Sequence, residues 1–247
     1  MIDLGGRVAL VTGTSSGLGR RFAQVLDGAG CRVVLASRRR EDDLVFAETL
    51  HEALSIRCDI RKPADRASLV AEVLEHCGHI DILVNNAGAA SSGPAEDETP
   101  EDLATLIETN LTGLFGLTQL VGRHMLERRN GVVVNIASLS AAVTVDRFGL
   151  AGYAASKAGV VALTRELAWQ WGRRGVRVNA IAPSFFPSAT SGWLSDPDQV
   201  AWIEQNTALG RIPRSEELDG PLLFLVSDAA SYLTGQTLYV DGGWSCR

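Results

Sequence analysis

Short runs of apolar, often β-branched residues alternate along the chain with longer stretches in which apolar positions recur three and four residues apart. The short runs are typical of buried strands, and the longer stretches are typical of helices with one face against a core. The predicted strands are 7–12, 32–36, 55–58, 80–84, 131–136, 176–181 and 237–240. The predicted helices are 18–28, 63–76, 100–129, 153–171 and 216–226, the third of them broken near Gly113.

This alternation predicts an α/β fold with a doubly wound parallel sheet. Strands that are apolar at nearly every position are buried on both faces, as in a sheet covered by helices. Right-handed crossovers then give a Rossmann-like, three-layer α/β/α arrangement. No linker or repeat interrupts the pattern, so residues 1–247 are interpreted as a single domain. Residues 184–214, with several Pro, Ser and Asp, are predicted to form a lid of loops and short helices beside the carboxyl ends of the strands.

Composition and charge narrow the function classes. The 29 acidic and 23 basic residues give a net charge of −6, which disfavours nucleic-acid binding. No secretion signal or membrane-length apolar segment is evident, so we expect a cytoplasmic protein without a membrane partner. The four cysteines lack a paired spacing, and Cys77 with His76 and His79 lacks a fourth ligand, so neither disulfides nor a metal is expected.

A glycine-rich turn lies between the first predicted strand and the first predicted helix. Gly13, Gly17 and Gly19 are spaced GxxxGxG, which differs from the usual GxGxxG fingerprint. Glycines at this junction permit a tight turn and a close approach of a pyrophosphate, and the helix N-terminus offers free N–H groups to it. The turn therefore predicts a dinucleotide site.

The end of the second predicted strand indicates which dinucleotide binds. An acidic residue there would bind the adenosine ribose 2′-hydroxyl and repel a 2′-phosphate. This chain instead has Ser37, followed by Arg38 and Arg39. Because a guanidinium pairs with a phosphate through two parallel hydrogen bonds, we predict NADP(H) as the cofactor. The alternative is that these arginines only coat the start of a helix.

Tyr153 and Lys157 are four residues apart in a predicted helix and therefore share one face. An ammonium favours the phenolate, and at ~4 Å with an effective dielectric of ~20 the interaction is about 4 kcal/mol, or roughly 3 pKa units. Such a shift would move the phenol toward the range useful for acid/base catalysis. Alone, the pair is weak evidence, because YxxxK is common on surface helices.

Further motifs strengthen the interpretation of this pair. They are TGTSSGLG at 12–19, CDI at 58–60, NNAG at 85–88, NLTG at 110–113, NIAS at 135–138, YAASK at 153–157 and RVNAIAP at 177–183. In this order and spacing the chain resembles the short-chain dehydrogenase/reductase family, and its closest character resembles the 3-oxoacyl-acyl-carrier-protein reductase branch. The resemblance implies an NADP(H)-dependent oxidoreductase acting on a small carbonyl or alcohol. It also implies a homotetramer or homodimer, with the helices at 100–129 and 153–171 in its interface.

The resemblance also implies residue roles. Tyr153 would exchange the proton of the substrate oxygen, and Ser138 would hydrogen-bond the same oxygen. Lys157 would lower the Tyr153 pKa and hold the nicotinamide ribose, and Asn110 would anchor a water behind Lys157. The implied cofactor-binding residues are Gly13, Ser15, Ser16, Gly17, Leu18, Gly19, Ser37, Arg38, Arg39, Asp59, Ile60, Asn85, Asn86, Ala87, Gly88, Tyr153, Lys157, Pro183, Ser184, Phe186 and Ser188.

Four departures from the family pattern affect the cofactor and substrate sides, and one of them is a short helical segment after the second predicted strand, on the adenine side. Ser184 stands where a glycine usually follows Pro183, which puts the geometry of that loop in doubt. Ser188 replaces a threonine that often binds the nicotinamide carboxamide. The segment between Ser138 and Tyr153 is slightly long.

The residues expected around the substrate are largely apolar. They are Val143, Val145, Phe148, Phe185, Phe186 and Trp193. As a pocket wall they favour reduction of an apolar or acyl-chain ketone, but some of them would equally well form the core of the lid. Two alternatives are a polyol or alcohol dehydrogenase working in the oxidative direction and a catalytically silent NADP-binding regulatory protein.

Overall fold

A computed structural model describes residues 2–187 and 192–246, apart from the side chain of Trp193. Within these ranges seven parallel strands form one sheet in the order β3-β2-β1-β4-β5-β6-β7. The strands are β1 (Val8–Thr12), β2 (Arg32–Ser37), β3 (Ala53–Arg57), β4 (Ile82–Asn85), β5 (Gly131–Ile136), β6 (Val176–Pro183) and β7 (Thr237–Val240). The predicted Rossmann-like fold class is therefore confirmed.

Helices cover both faces of this sheet. They are α1 (Gly17–Gly28), α2 (Arg40–Ala47), α3 (Pro63–Cys77), α4 (Pro100–Ile107), α5 (Leu114–Arg128), α6 (Ala151–Gly172), α7 (Pro197–Asn206) and α8 (Asp219–Val226). Successive strand residues point to opposite faces, so Leu35 packs with α1 and α8 whereas Val34 packs with α3, α5 and α6. Each face has its own hydrophobic cluster, which explains why the strands are apolar at consecutive positions.

The chain reverses its direction of travel across the sheet at β1. Strands β2 and β3 extend to one side of β1, and β4 pairs on its other side, with Leu10 opposite both Val34 and Leu83. In an open α/β sheet a crevice forms at such a point, outside the carboxyl ends of the strands. The turns that follow β1, β2, β4, β5 and β6 therefore meet at one edge.

Two elements differ from the sequence prediction. The helix expected over 100–129 is divided into α4 and α5 by a π-helical turn, Glu108–Gly113, which includes the glycine where a break was expected. Helix α2 was expected only as a short helical segment after the second strand, without bounds; its eight residues begin with an arginine and three acids, and its mixed surface gives a weak helical pattern. In the described part of the chain, no helix is both long enough and apolar enough to span a bilayer.

Candidate active site

The turn after β1 is built by glycines that leave no room for side chains. Gly13 has φ +73°, and a Cβ there would lie 2.8 Å from the Cα of Ala87. A Cβ on Gly19 would lie 2.2 Å from the carbonyl oxygen of Gly13. Helix α1 begins at Gly17, and the side chain of Ser16 does not cap it. The amide groups of this first turn therefore remain available to an anion in the cleft, as a pyrophosphate-binding turn requires.

Two arginines follow β2 at the same edge. Arg39 donates from Nη2 to Ser15 Oγ at 3.1 Å, and its Nε lies 3.3 Å from Asp42 Oδ2. The backbone N–H of Arg39 donates to Ser37 Oγ at 3.1 Å. Arg38 is exposed and also lines the cleft. Two guanidinium groups thus border the phosphate turn, and one of them is already bonded to it.

Asp59 lies beyond β3 and is held by a neighbour that the sequence analysis did not single out. Arg61 donates from Nη2 to Asp59 Oδ2 at 2.6 Å and from Nε to Oδ1 at 3.0 Å. These hydrogen bonds lower the pKa of Asp59 to about 2. The carboxylate is therefore ionised at any ordinary pH, and its charge is shared with Arg61 along the cleft wall.

Ser138, Tyr153 and Lys157 meet at the other end of the cleft. Helix α6 presents Tyr153 and Lys157 on one face, and the Lys157 ammonium lies 5.8 Å from the centroid of the Tyr153 ring. Lys157 is buried and donates to the carbonyl oxygen of Ile136 at 2.8 Å. Ser138 comes two residues after the end of β5, and its hydroxyl lies close enough to Tyr153 to affect the pKa of the phenol.

The pKa of Tyr153 differs from the sequence expectation. Burial raises it above its ordinary value, and the nearby hydroxyl of Ser138 opposes that shift. Burial also lowers the pKa of Lys157 to about 8, since the ammonium has lost its water. The net shift of the Tyr153 pKa in this structure is therefore upward, whereas its spacing from Lys157 had predicted a downward one.

Ser138 is itself held by the short helical turn that it begins. Its Oγ accepts the backbone N–H of Ser140 at 3.2 Å and lies 3.0 Å from the Ser140 hydroxyl. Ser140 is buried, with 8% of its surface exposed, whereas Ser138 is only half-buried. The turn thus fixes the position of the Ser138 oxygen at the cleft.

Two predicted asparagines act behind the cleft wall. Asn110 lies in the π-helical turn, where it donates to Ala89 O and accepts from Ala89 N, both at 2.8 Å, and donates to Ser156 Oγ at 2.9 Å. Asn85 donates to Thr118 Oγ1 and Asn135 Oδ1 inside the fold. Both side chains hold neighbouring elements together and do not face the cleft.

The cleft has a volume of about 670 Å³ and unites most of the predicted site. Its predicted lining residues are Gly13, Ser15, Ser16, Gly17, Leu18, Ser37, Arg38, Arg39, Asp59, Ile60, Asn86, Ala87, Gly88, Ser138, Tyr153, Lys157, Pro183 and Ser184. Four predicted residues lie outside this lining: Gly19, Asn85, Asn110 and Phe186. Phe186 instead packs in the core beside α8, and Ser188 lies outside the described residues.

The lining also includes residues that the sequence analysis missed. They are Ala36, Cys58, Arg61, Ala89, Ala90, Thr109, Ile136 and Ala137. Most of them flank a predicted residue, so adjacency was the available signal. Arg61 is the most significant chemically, because it adds a third guanidinium to the end of the cleft that contains Arg38 and Arg39. No group of acids, histidines and cysteines in the described residues is arranged to hold a metal ion.

Ser184 fits its loop without backbone strain. Its N–H donates to Val240 O at 3.2 Å, and its carbonyl oxygen accepts from Phe186 N at 3.0 Å. Among the described residues that are not glycine, positive φ occurs at Arg129 alone, so Ser184 does not occupy the left-handed region. A glycine is therefore not required here for conformational reasons.

Several aromatic residues expected around the substrate pack on one another, in a hydrophobic cluster that includes Leu139 next to Ser138. Phe148 lies 5.7 Å, between ring centroids, from Trp202 of α7, and Phe185 lies 5.2 Å from Trp244. Trp202 and Trp244 are 5.1 Å apart. We call Phe148, Phe185, Trp202 and Trp244 the aromatic cluster; it joins three separate loops to α7, and so favours the lid-core interpretation for Phe148 and Phe185. The side chain of Trp193 lies outside the described residues.

Comparisons with known proteins agree with this geometry. Residues 13–245 match the family model described as enoyl-(acyl carrier protein) reductase. The chain is 37% identical to gluconate 5-dehydrogenase of Gluconobacter oxydans (strain 621H), over 98% of this chain and 96% of that protein. It is 35% identical to 3-oxoacyl-acyl-carrier-protein reductase of Escherichia coli (strain K12), over 96% and 97%.

A solved structure shares the whole fold. The gluconate 5-dehydrogenase from Burkholderia cenocepacia J2315, crystallised in complex with NADP and tartrate, is similar with a TM-score of 0.93. It is 33% identical and covers 100% of this chain and 98% of its own. The similarity therefore extends over the whole length of the chain.

Proposed function

The chain belongs to the short-chain dehydrogenase/reductase family of oxidoreductases, and from this premise we propose that it transfers a hydride between NADP(H) and a ketone/secondary alcohol pair. Tyr153 exchanges the proton on the substrate oxygen. Ser138 hydrogen-bonds that oxygen, and Lys157 contributes positive charge beside it. Asn110 acts from behind, by holding the loop after β4 against α6.

The observation that carries this proposal is the continuity of one cleft. Its lining runs from Arg38 and Arg39, over the glycine turn, to Ser138, Tyr153 and Lys157. A dinucleotide needs such a site, with cations and free amides for its phosphates and acid/base groups at its reactive end. The turn at Gly13, where an added Cβ would strike Ala87, fits a pyrophosphate lying against bare backbone.

The mechanism follows from what these residues can donate. Bound NADPH supplies the hydride for a carbonyl carbon, and bound NADP⁺ accepts one in the reverse direction. As negative charge develops on the carbonyl oxygen, Tyr153 gives its proton and Ser138 donates a hydrogen bond. Because burial raises the pKa of Tyr153, the phenol is protonated at neutral pH but is a weaker acid, so it depends on positive charge nearby to give up its proton. Lys157, whose pKa is about 8, is mostly an ammonium at pH 7 and stabilises the phenolate that forms.

Tyr153→Phe tests the chemical step. We expect turnover to fall by about 10²- to 10⁴-fold, the usual loss for a general acid, because the phenyl ring has no proton to give. NADPH affinity, measured by coenzyme fluorescence, should stay near that of the parent. Tyr232→Phe, at an exposed tyrosine, is the matched control and should keep full activity. A Tyr153→Phe protein with unchanged turnover would exclude the proposed acid.

Arg38→Asp tests the choice of coenzyme. We expect the parent to prefer NADPH. In the variant, the ratio of catalytic efficiency with NADPH to that with NADH should fall by about 10- to 100-fold, which corresponds to the loss of a charge-assisted hydrogen bond. Arg40→Asp is the control, since Arg40 is the next exposed arginine but does not line the cleft. A strong NADH preference in the parent would refute the assignment.

We propose an apolar or acyl-chain ketone as the substrate in the reductive direction. Phe148, Phe185 and Trp202 are only half-buried, so the aromatic cluster can still offer apolar surface near Ser138. A second candidate is a polyol or sugar acid in the oxidative direction. It is supported by the polar lining at Thr109 and Ser184 and by the likeness to a gluconate 5-dehydrogenase.

A coenzyme-coupled screen distinguishes these two candidates. Reduction should be tested with β-ketoacyl thioesters, cyclic ketones, α-diketones and keto sugars, and oxidation with polyols and sugar acids. Higher catalytic efficiency on the thioesters and apolar ketones supports the first candidate. A clear preference for sugar acids or polyols would replace it with the second.

A further inference from the structure

The hydroxyl of Ser138 meets two donors from its own helical turn. The backbone N–H of Ser140 approaches its Oγ at 3.2 Å, and the Ser140 hydroxyl oxygen lies 3.0 Å away. Ser138 and Tyr153 line the same cleft, and the Ser138 hydroxyl lies close enough to the phenol to lower its pKa. The Ser138 oxygen is therefore bonded to two groups of Ser140 and has Tyr153 nearby in the cleft.

Counting protons limits how these contacts can be arranged. A serine hydroxyl has one proton to donate and two lone pairs that accept. The backbone N–H of Ser140 can only donate, so it occupies one lone pair of Ser138. The two hydroxyls at 3.0 Å then have two arrangements. In the first, the Ser140 hydroxyl donates to the second lone pair of Ser138. In the second, the Ser138 hydroxyl donates its single proton to Ser140.

We propose that Ser140 is a positioning residue: its hydroxyl donates to Ser138 Oγ and so forces the Ser138 proton toward Tyr153 and the substrate oxygen. This inference rests on the proposed function, in which Ser138 is a hydrogen-bond donor to that oxygen. With both lone pairs filled, Ser138 can act toward the cleft only as a donor. The device orders one proton before the substrate arrives, which reduces the reorganisation needed during the reaction.

The surroundings of Ser140 support this direction of donation. Ser140 is 8% exposed, and among the described residues its hydroxyl oxygen has no hydrogen-bond partner besides Ser138. If Ser138 donated to it, the Ser140 proton would be buried without an acceptor, at a cost in free energy. If Ser140 donates, both protons are used, because Ser138 has Tyr153 beside it.

Ser140→Ala tests the proposal in an otherwise unchanged protein. We expect kcat to fall by about threefold to tenfold, the worth of one hydroxyl hydrogen bond. NADPH affinity should not change, because Ser140 does not line the cleft. Ser55→Ala, at a buried serine of β3, is the matched control and should keep the parent kcat. An unchanged or faster Ser140→Ala enzyme would overturn the proposal, and a faster one would indicate that Ser138 had been donating to Ser140.

A double substitution separates positioning from a general structural effect. If Ser140 acts through Ser138, adding Ser140→Ala to a Ser138→Ala enzyme causes no further loss of kcat. The two single losses would then be non-additive. A second loss as large as that in the parent background would show that Ser140 acts without Ser138, and the positioning role would be rejected.

A measurement without turnover keeps this test separate from the proposed function. The chain has three tyrosines, and ¹³C labelling of the phenol carbon with a Tyr153→Phe reference identifies the Tyr153 signal. Removing Ser140 should raise the titration midpoint of Tyr153 by about 0.5 to 1 unit, since an unordered Ser138 stabilises the phenolate less. The shift should vanish in the Ser138→Ala background. No shift in either background overturns the positioning role even if no ketone is reduced.

Discussion

At the residue scale, Asp43 is a buried acid that does not belong to the catalytic group. Its side chain is 0% exposed, and neither carboxylate oxygen has a hydrogen bond of good geometry. Burial raises its pKa, while the nearby hydroxyls of Ser37 and Thr14 and the charge of Arg20 act in the opposite direction. Because an ionised carboxyl is costly without water, the folded state binds this proton more tightly than the unfolded chain does.

Asp43→Asn should therefore stabilise the fold at neutral pH, by about 1 to 2 kcal/mol. In the parent, the raised pKa means that Asp43 contributes to the free energy of unfolding fully below the pKa it has in the unfolded chain. This contribution is lost as the pH rises through the pKa it has in the folded protein. The variant lacks this loss, so the gain should be larger at pH 8 than at pH 4. Urea unfolding of both proteins at the two pH values measures it.

The control for this change is Asp42→Asn, one position earlier on α2, where the side chain is 46% exposed and faces Arg39. This substitution removes the same charge and the same helix-dipole interaction, but it does not remove the desolvation cost of a buried carboxylate. It should therefore not stabilise the fold. An Asp43→Asn protein no more stable than the parent at pH 8 would contradict the proposed cost.

The spacing of residues in the sequence predicted which side chains reach the cleft, but it did not predict the contacts that they make there. Tyr153 and Lys157 share a helix face, and Arg38 and Arg39 follow a strand, so sequence spacing placed them in the cleft. The side chain of Asn85 was expected at the cleft, but it lies inside the fold, where it donates to Thr118 and Asn135. Its direction depends on the alternation of side chains along the strand, which the motif alone does not give. The raised pKa of Tyr153 was also missed, since burial by distant segments outweighs a neighbour four residues away.

At the element scale, the π-helical turn Glu108–Gly113 shapes the wall behind the reactive end of the cleft. Such a turn hydrogen-bonds five residues ahead instead of four, so it holds one residue more than an α-helix along the same path. Gly113 permits close packing here, since a Cβ would lie 2.7 Å from Ile60 O. Asn110 uses the turn to bond Ala89 and Ser156 at once.

Asn110→Ala should destabilise the protein by about 2 to 4 kcal/mol, because the part-buried N–H and carbonyl of Ala89 and the buried hydroxyl of Ser156 each lose a partner. Turnover should fall as well, since the loop after β4 lines the cleft. Urea unfolding and a coenzyme-coupled assay measure the two effects. Glu108→Ala, at an exposed site of the same turn, is the control; equal effects of both substitutions would show that Asn110 has no special role.

Sequence patterns predicted the elements unevenly. Every strand and the helices α1, α3, α6 and α8 were expected near their observed positions, because they bury a regular face. Helix α2 was expected only as a short segment without bounds, because its first turn is wholly charged, and α7 was expected only as a short helix within the lid. These two helices depend on tertiary contacts and on caps such as Asp196, which accepts from the N–H of Asp198.

At the scale of the whole molecule, the aromatic cluster connects chain segments far apart in sequence. Phe148 follows β5, Phe185 follows β6, Trp202 is on α7 and Trp244 comes after β7. Arg147 adds to the same contact, since its guanidinium lies 5.9 Å from the centroid of the Trp202 ring and donates to Asp198 O at 3.1 Å. The lid proposed for residues 184–214 is thereby anchored to the loop that precedes Tyr153.

Trp202→Ala should loosen this contact. We expect a loss of about 3 kcal/mol in the free energy of unfolding if the lid unfolds with the rest of the fold, since a large aromatic side chain leaves a cavity. The KM for the substrate should rise more than the KM for NADPH, because the cluster packs with Leu139, next to the proposed substrate-binding Ser138. Trp169→Ala, at a tryptophan that is 81% exposed, is the control. Equal rises in both KM values would argue against the lid.

The strand order has a consequence for how the enzyme can change over time. The residues proposed to select the coenzyme follow β2, whereas those proposed to act on the substrate lie after β5 and on α6, on the other side of β1. No single element carries both tasks. Exchanging the β2–α2 segment between relatives can thus alter the preference for a redox carrier while the reacting groups keep their positions. The carrier and the substrate can therefore be selected independently, both in evolution and in engineered chimaeras.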